Sequence, residues 1–310
     1  MRITHGFHPL KQPHAVTIGN FDGLHVGHQA MLTRLQHVAR ERALPTCVLS
    51  FEPHPREFFS PENAPARLSS LREKAGWLDQ TGIDRLHVFR FNRAFSALAA
   101  SEFIQRILVD TLHARYVLVG DDFRYGAQRA GDFTLLVEQG RSAGFDAEAL
   151  STVQINGERA SSTAVRNALA AGDLAHATRL LGRPYSICGR VMHGDKLGRE
   201  LGYPTANVQI QHNRPPLSGI FAVTVSNING RDLPGVASLG VRPTIKTTTA
   251  APVLEVHLFD FDTQLYGRRI RVNFLHKLRD EAKFPDLPSL IAQIGRDVDE
   301  AKQFLMQTHG

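Results

Sequence analysis

Two histidines in a glycine-rich segment are the first residues whose spacing suggests chemistry. Residues 19–28 read Gly-Asn-Phe-Asp-Gly-Leu-His-Val-Gly-His, so His25 and His28 stand three positions apart. Glycines let a backbone approach a phosphate closely, and imidazoles donate hydrogen bonds to phosphoryl oxygens. A polar loop and a metal site are the alternatives, but the segment lacks a full set of metal ligands. The pattern favours a phosphate-binding loop.

A second segment carries hydroxyl groups and an arginine. Residues 160–166 read Ala-Ser-Ser-Thr-Ala-Val-Arg. Hydroxyls at a helix N-terminus cap the helix and also bind phosphate, and Arg166 can bind phosphoryl oxygens through two N–H groups. A plain N-cap is the simpler role of Ser161, Ser162 and Thr163, and the two roles are compatible.

A third segment, residues 194–207, is dense in glycine and charge but contains no Walker A pattern. Its backbone N–H groups could surround phosphates. Thr205 and Asn207 lie two positions apart, so an extended chain places both side chains on one side. Such oxygen ligands suit Mg²⁺ that is shared with ATP phosphates. A surface hairpin with a proline turn is the alternative.

The elements around the first two segments alternate between two periodicities. Short apolar runs end at glycine or polar residues, and apolar positions at helical spacing follow them. This alternation predicts βαβ units with a mostly parallel sheet, and the histidine segment follows the first strand, where such sheets bind ligands. The predicted strands are 15–18, 46–51, 86–89, 116–119 and 147–150, and the predicted helices are 28–42, 71–80, 101–112 and 133–142.

The pattern changes after two short predicted helices at 163–171 and 173–181. Gly182-Arg183-Pro184 ends them, and short β-type runs between glycines and prolines follow to about residue 273. Evenly spaced short strands predict an antiparallel barrel or sandwich. A final helix is predicted over 287–306. We therefore place the domain boundary after Arg183, with domains of 1–183 and 184–310.

Composition limits the classes of protein. The chain has 310 residues, 42% hydrophobic and 21% charged, which predicts two globular domains and excludes a disordered chain. No apolar run reaches the roughly 18–20 residues of a membrane helix, and residues 1–7 lack a signal-peptide core. We expect a cytoplasmic protein with no membrane partner. Cys47 and Cys188 are too few and too distant for a disulfide framework or a zinc cluster.

The net charge of +6 is evenly spread. Through Arg183 there are 21 Lys and Arg against 18 Asp and Glu, and beyond it 15 against 12. Nucleic-acid binders usually concentrate basic charge on one element, so we expect no nucleic-acid partner. The mild excess suits small anionic ligands equally well.

These motifs together resemble a known family. His25-Val26-Gly27-His28 matches the HxGH mark of a nucleotidyltransferase superfamily, and residues 160–166 resemble its second phosphate element. Pro204-Thr205-Ala206-Asn207 and Leu254-Glu255-Val256-His257-Leu258-Phe259-Asp260 resemble riboflavin kinase. With Phe-Glu-Pro-His-Pro at 51–55 and Val-Gly-Asp-Asp-Phe-Arg-Tyr-Gly at 119–126, the chain resembles bifunctional riboflavin kinase/FAD synthetase over nearly its whole length.

The resemblance implies an α/β fold plus a β-barrel. Residues 1–183 would form a Rossmann-like nucleotidyltransferase domain that acts as FMN adenylyltransferase. Residues 184–310 would form a Greek-key antiparallel barrel with a C-terminal helix, acting as riboflavin kinase. The substrates would be riboflavin, FMN and ATP, with Mg²⁺ as the cofactor. The sequence leaves open the oligomeric state, rates, reversibility, metal preference and passage of FMN between domains.

For the kinase reaction, the resemblance implies that Glu255 removes the proton of the riboflavin 5′-hydroxyl. Thr205 and Asn207 would hold Mg²⁺ and bind ATP. The other residues expected along the ATP phosphates are Gly194, Lys196 and Arg199. Arg279 and Phe284 would lie on a loop near the flavin.

For the adenylyl transfer, the resemblance implies that His25, His28 and Arg166 act on the ATP phosphates. The other residues expected to bind ATP are Gly19, Phe21, Asp22, Gly23, Gly27, Ser161, Ser162 and Thr163. The residues expected to border FMN are Asp122, Phe123 and Arg124. Related sequences can carry Asn where Asp122 stands.

Three other functions are compatible with parts of the sequence. The HxGH segment alone also permits an adenylyltransferase for another phosphate monoester, with a β-domain that only binds. A non-catalytic flavin-binding module would not need Glu255 or His28. Nucleic-acid binding has only the mild positive charge in its favour.

Overall fold

The chain folds into two compact units. The computed structural model describes residues 1–193, 198, 201–211, 214–228, 230–242 and 251–309. The first unit consists of Met1–Pro65 and Leu71–Ser161, and the second consists of Ala66–Ser70 and the chain from Ser162 onward.

A parallel sheet organises the first unit. Its strands lie in the order β1-β4-β3-β2-β5-β6, and all neighbouring pairs are parallel. The strands are β1 (Arg2–His5), β2 (His14–Ile18), β3 (Thr46–Glu52), β4 (Arg85–Arg90), β5 (Ala114–Gly120) and β6 (Asp146–Leu150). The chain grows from β2 outward through β3 and β4, and then returns to the other side of β2 for β5. This reversal is the topological switch point, where open α/β sheets bind ligands.

Both faces of this sheet are covered. Neighbouring strand residues such as Ala15 and Val16 point to opposite faces, and each belongs to a different hydrophobic cluster. Burial on both faces explains why the strands are continuous apolar runs rather than alternating ones.

Helices connect the strands of the first unit. They are α1 (Val26–Glu41), α2 (Pro55–Phe59), α3 (Leu71–Gln80), α4 (Arg93–Ser96), α5 (Ala100–Phe103) and α6 (Phe133–Ala143). The single helix predicted over 101–112 was wrong in type, because residues Ile104–Val109 form a π-helix after α5. Ile104, Ile107 and Leu108 are buried as expected, but their spacing does not distinguish an α-turn from a π-turn. A short hairpin, β7 (Gln154–Ile155) and β8 (Glu158–Arg159), ends the unit.

The second unit contains a closed antiparallel barrel. Two helices precede it, α7 (Ser162–Ala170) and α8 (Leu174–Leu181). The barrel strands are β9 (Tyr185–Met192), β10 (Ala206–Gln209), β11 (Gly219–Ile228), β12 (Arg231–Arg242), β13 (Ala251–Leu258) and β14 (Arg269–Arg279). They close in the order β10-β13-β12-β11-β14-β9. Strand β14 lies beside β11 after the β11-β12-β13 meander, which is the Greek-key order predicted.

The C-terminal helix, α9 (Leu287–His309), packs on the outside of the barrel. Val298, Ala301 and Leu305 of this helix share a hydrophobic cluster with Ala222 and Val236 of the barrel wall. The inward face of the barrel is filled by fully buried side chains such as Phe221 and Phe274. The helix therefore has a fixed face toward the barrel. Among the described residues, no helix is both long and apolar enough to cross a membrane.

Candidate active sites

The loop after β2 forms one side of a pocket of about 150 Å³ in the first unit. His25, Gly27 and His28 line it from one side of the switch point, and Asp121 and Asp122 line it from the end of β5. The pocket therefore lies where the strand order predicts a ligand.

The two histidines are stacked on each other in this pocket. Their ring centroids are 3.7 Å apart, and the Phe21 ring centroid is 5.0 Å from that of His28. Burial lowers the pKa of His28 well below its ordinary value, and the positive charges of His25 and Lys74 lower it further. His28 is therefore neutral at neutral pH. Its buried Nδ1 has no hydrogen-bond partner among the described residues, as expected of a group that meets a ligand.

The position of Gly27, between the two histidines, has little room for a side chain. A Cβ atom at this position would lie 3.1 Å from His25 Nδ1 and 3.2 Å from the Ala160 carbonyl oxygen. Any larger residue would push His25 or the chain at Ala160 away. Residues Phe21 and Asp22, by contrast, are buried and do not line the pocket. Phe21 supports His28 from the core side.

The remaining residues predicted for this site are divided between the units. Ser161 lines the pocket, whereas Ser162, Thr163 and Arg166 lie on α7 in the second unit. Arg166 donates from Nε to the Ala66 carbonyl oxygen at 2.5 Å. Gly19 and Gly23 lie in the loop before α1, and the loop at Gly23 has a positive φ of 79°.

The predicted FMN-binding residues follow β5. Asp122 lines the pocket and pairs with Arg159 Nη2 at 2.6 Å. Arg124 pairs with Asp132 at 3.2 Å, and Phe123 stacks on Tyr125 with ring centroids 5.4 Å apart. Only Asp122 of these three predicted residues lines the pocket.

The sequence reasoning missed the hairpin that borders the pocket. Arg159 and Thr152 line it, and the Thr152 amide donates to Asp121 at 2.9 Å. The dipeptide Asn156-Gly157 between two short runs is a strong hairpin signal and would have revealed this element.

An exposed aromatic cluster near the same sheet edge was also missed. Phe51 is the second-last residue of β3, Phe91 follows β4, and Phe58 and Phe59 lie on α2. The centroids of the Phe58, Phe59 and Phe91 rings are 5.3–5.6 Å apart. Phe59 is 67% exposed, which is unusual for an aromatic side chain within a cluster. The doublet Phe58-Phe59 was the available signal.

The second unit holds a larger cavity of about 560 Å³, lined by the helix-facing side of the barrel wall and by α9, and its volume is within the usual size range for small-molecule sites. Five of the residues predicted for the kinase site line it together: Thr205, Asn207, Glu255, Arg279 and Phe284. Gly194, Lys196 and Arg199 lie outside the described residues.

Strand register explains why the polar residues converge in the barrel. Asn207 of β10 pairs with Glu255 of β13, and Glu255 pairs with Ser238 of β12. Directly paired residues place their side chains on the same face with Cβ atoms about 4.5–5.5 Å apart. An amide, a carboxylate and a hydroxyl therefore form a row across three neighbouring strands, and all three line the cavity.

His257 and Tyr203 border the same row. His257 Nδ1 lies 2.9 Å from the Pro204 carbonyl oxygen, and the rings of His257 and Tyr203 meet edge to face at 5.6 Å. These contacts fix the turn that presents Thr205. His257 was not predicted as part of the site, although it stands two positions from Glu255.

The two residues predicted to lie near the flavin in the kinase site are at the end of β14 and just after it. Arg279 is the last residue of β14 rather than a loop residue, and Phe284 is in the segment that follows. The Arg279 guanidinium carbon lies 5.7 Å from the centroid of the Phe284 ring. Arg279 also forms an ion pair with Asp297 of α9 at 2.6 Å.

Comparisons with known proteins match both halves of the chain. The FAD synthetase family model matches residues 8–164, and the riboflavin kinase family model matches residues 181–305. Curated relatives with the name "Bifunctional riboflavin kinase/FMN adenylyltransferase" include one from Pseudomonas fluorescens, 50% identical, covering 97% of each chain. Another, from Escherichia coli K12, is 47% identical and covers 98% of each.

A solved structure matches the chain over nearly its full length. It is described as a macrolide-efflux protein from Streptococcus pneumoniae, with a TM-score of 0.80 and 26% identity. The match covers 95% of this chain and 97% of that one.

Proposed function

The chain belongs to the bifunctional riboflavin kinase/FMN adenylyltransferase family, and on that premise we propose which residues carry each of its two reactions. It phosphorylates riboflavin with ATP to form FMN. It also transfers the adenylyl group of ATP to FMN, which forms FAD and releases pyrophosphate. We propose the functional boundary after Arg183, just before the first barrel strand at Tyr185 and just inside the riboflavin kinase match, which begins at residue 181.

The kinase reaction is proposed for the barrel cavity. Glu255 removes the proton from the 5′-hydroxyl of riboflavin as that oxygen bonds to the γ-phosphorus of ATP. The bond between the γ-phosphorus and the bridging oxygen breaks, and ADP leaves. The observation that supports this most directly is the row of Asn207, Glu255 and Ser238 across three paired strands inside one cavity.

A divalent metal is generally required by ATP-using kinases and adenylyltransferases, and we propose Mg²⁺. The donor set fits, because the Thr205 hydroxyl and Asn207 amide oxygens are hard ligands that line the cavity beside Glu255. When bound, the ion neutralises charge on the ATP phosphates during transfer. We propose that Gly194, Lys196 and Arg199 bind the same phosphates.

The adenylyl transfer is proposed for the switch-point pocket. A phosphate oxygen of FMN attacks the α-phosphorus of ATP, and pyrophosphate leaves. His28, neutral at pH 7, donates its single N–H to a phosphoryl oxygen, and His25 assists from its stacked position. We assign Arg166 and the hydroxyls of Ser161, Ser162 and Thr163 to the remaining phosphate contacts.

The flavin is proposed to bind beside the ATP phosphates in this domain. Asp122, with Phe123 and Arg124, follows β5 at the pocket. The exposed Phe59 ring, which meets the rings of Phe58 and Phe91 edge to face, offers an apolar aromatic surface at the same sheet edge for the isoalloxazine ring. We further predict a cytoplasmic location and neither a nucleic-acid nor a membrane partner.

One experiment separates the two assignments. Purified wild type, Glu255→Gln and His28→Ala are each given ATP and Mg²⁺ with riboflavin or with FMN, and the flavins are separated by chromatography. Glu255→Gln should lose about 10²–10⁴-fold in FMN formation and retain conversion of FMN to FAD. His28→Ala should lose about 10²–10³-fold in FAD formation and retain the kinase reaction.

The activity that each variant retains shows that the variant is folded. Loss of both activities in either variant would contradict separate sites. Absence of both products from folded wild type would contradict the function itself.

A further inference from the structure

A buried carboxylate in the kinase cavity was not predicted from sequence. Asp297 of α9 lines the cavity and is only 4% exposed. Both of its oxygens accept hydrogen bonds from Arg279, Oδ1 from Nε at 2.8 Å and Oδ2 from Nη2 at 2.6 Å. Gln293, four residues earlier on the helix, donates from Nε2 to Oδ1 at 2.8 Å.

These bonds fix the orientation of the Arg279 guanidinium. A two-point contact with a carboxylate sets the plane of the group as well as its position. A further bond runs from Nη1 to the Asp280 carbonyl oxygen at 2.9 Å. With its edge held in this way, Arg279 stays near the Phe284 ring, 5.7 Å away.

The helix that carries Asp297 is itself anchored. Val298, the next residue, packs against the barrel wall in the cluster that includes Ala301 and Leu305. A buried ion pair of this kind contributes little net stability, because desolvation offsets the attraction between the charges. Its retention is better explained by the geometry that it imposes on a side chain in the cavity.

We propose that Asp297, braced by Gln293, is a positioning residue that holds Arg279 against Phe284 to form the flavin-contacting wall of the kinase cavity. This inference rests on the proposed function, which assigns Arg279 and Phe284 to the flavin. The ion pair carries no net charge, so the wall suits the uncharged isoalloxazine ring. Without Asp297, Arg279 would be attracted to the other carboxylates that line the cavity, Glu255 and Glu281.

The test is a double-mutant cycle on the full-length protein. Asp297→Asn, Arg279→Met and the double variant are compared for riboflavin affinity by flavin fluorescence quenching without ATP, and for kinase kcat and KM. Conversion of FMN to FAD by the same molecules reports folding. We expect Asp297→Asn to weaken riboflavin binding about tenfold, equivalent to about 1.4 kcal/mol, with kcat and the KM for ATP within about twofold of wild type.

The cycle distinguishes positioning from a structural role. If Asp297 acts through Arg279, the double variant binds riboflavin no more weakly than Arg279→Met alone. Multiplied losses in the double variant, or equal losses in kcat and the KM for ATP, would overturn the inference.

The inference and the function on which it rests fail in different ways. If Arg279→Met weakens riboflavin binding and folded Asp297→Asn does not, the inference is overturned and the flavin role of Arg279 stands. If Arg279→Met itself binds riboflavin as wild type does, the assigned flavin role is refuted and the inference with it.

A second variant decides the matter if Asp297→Asn does not fold. Gln293→Leu keeps both charges and removes one hydrogen bond to the carboxylate. It should weaken riboflavin binding about threefold in the same direction, as loss of one bond in a charged cluster predicts. Unchanged riboflavin binding in folded Gln293→Leu would overturn the bracing role.

Discussion

Acid should destabilise the first unit through His87. This residue is fully buried in β4, where Nδ1 lies 2.9 Å from the Thr4 hydroxyl and Nε2 lies 2.8 Å from the Gly6 carbonyl oxygen. Burial lowers the pKa of His87 from 6.5 to about 4. The unfolded chain therefore binds a proton between pH 6.5 and pH 4 that the folded chain excludes.

The magnitude follows from this difference in pKa. The contribution that neutral His87 makes to the free energy of unfolding is fully present above pH 6.5 and is lost as the pH decreases toward 4. At pH 5, the solution lies about 1.5 pH units below the unfolded pKa, which corresponds to about 2 kcal/mol of lost stability from His87 at about 1.36 kcal/mol per unit. His14 and His28 add losses of the same sign, because burial lowers the pKa of each.

The assay uses the single tryptophan of the chain. Trp77 lies on α3 in the first unit, so its fluorescence during urea unfolding follows that unit. The change in unfolding free energy between pH 7.5 and pH 5 should be about 2 kcal/mol smaller in His87→Gln than in wild type. The exposed His8→Gln is the matched control and should behave as wild type. An equal pH dependence in His87→Gln and wild type would refute the reasoning.

Three substitutions should each affect one site. Gly189→Ala would place a Cβ against the Gln209 carbonyl oxygen, which should force β9 and β10 apart and cost about 1–3 kcal/mol of barrel stability. Kinase kcat should fall while FAD formation is retained, and unchanged kinase kinetics would contradict this. Gly27→Ala would crowd His25 and should lower FAD formation about tenfold in a kinase-competent protein, as product chromatography would show. Phe59→Ala should raise the KM for FMN without lowering the melting temperature, because the ring is 67% exposed; a lowered melting temperature with unchanged KM would assign Phe59 a structural role instead.

Periodicity predicted the elements that are regular and locally determined. The helix predicted over 71–80 is α3 itself, because its apolar spacing is typical of a helix with one buried face. The parallel sheet was predicted correctly because its buried strands are continuous apolar runs. The hairpin of β7 and β8 was missed because each strand has only two residues and no apolar pattern, so its sequence signal was the turn dipeptide Asn156-Gly157 rather than periodicity.

The pairing of strands that are distant in the chain could not be predicted from one sequence. Asn207 and Glu255 were predicted as site residues by resemblance, but their direct pairing joins strands 48 positions apart and depends on closure of the barrel. Asp297 was missed because nothing local distinguishes it from the other acidic residues of α9. Its role becomes visible only when the helix docks and brings it to Arg279.

Closure of the barrel also constrains how this sequence can change. Since β13 hydrogen-bonds to β10 on one side and to β12 on the other, it has no free edge along which to slide. Deleting one residue between Leu254 and the start of β13 would turn Glu255 into the packed interior of the barrel and bring the buried Leu254 and Val256 to the face that lines the cavity, because side chains alternate along a strand. Length variation is therefore tolerable in the connections between strands but disrupts catalysis within them.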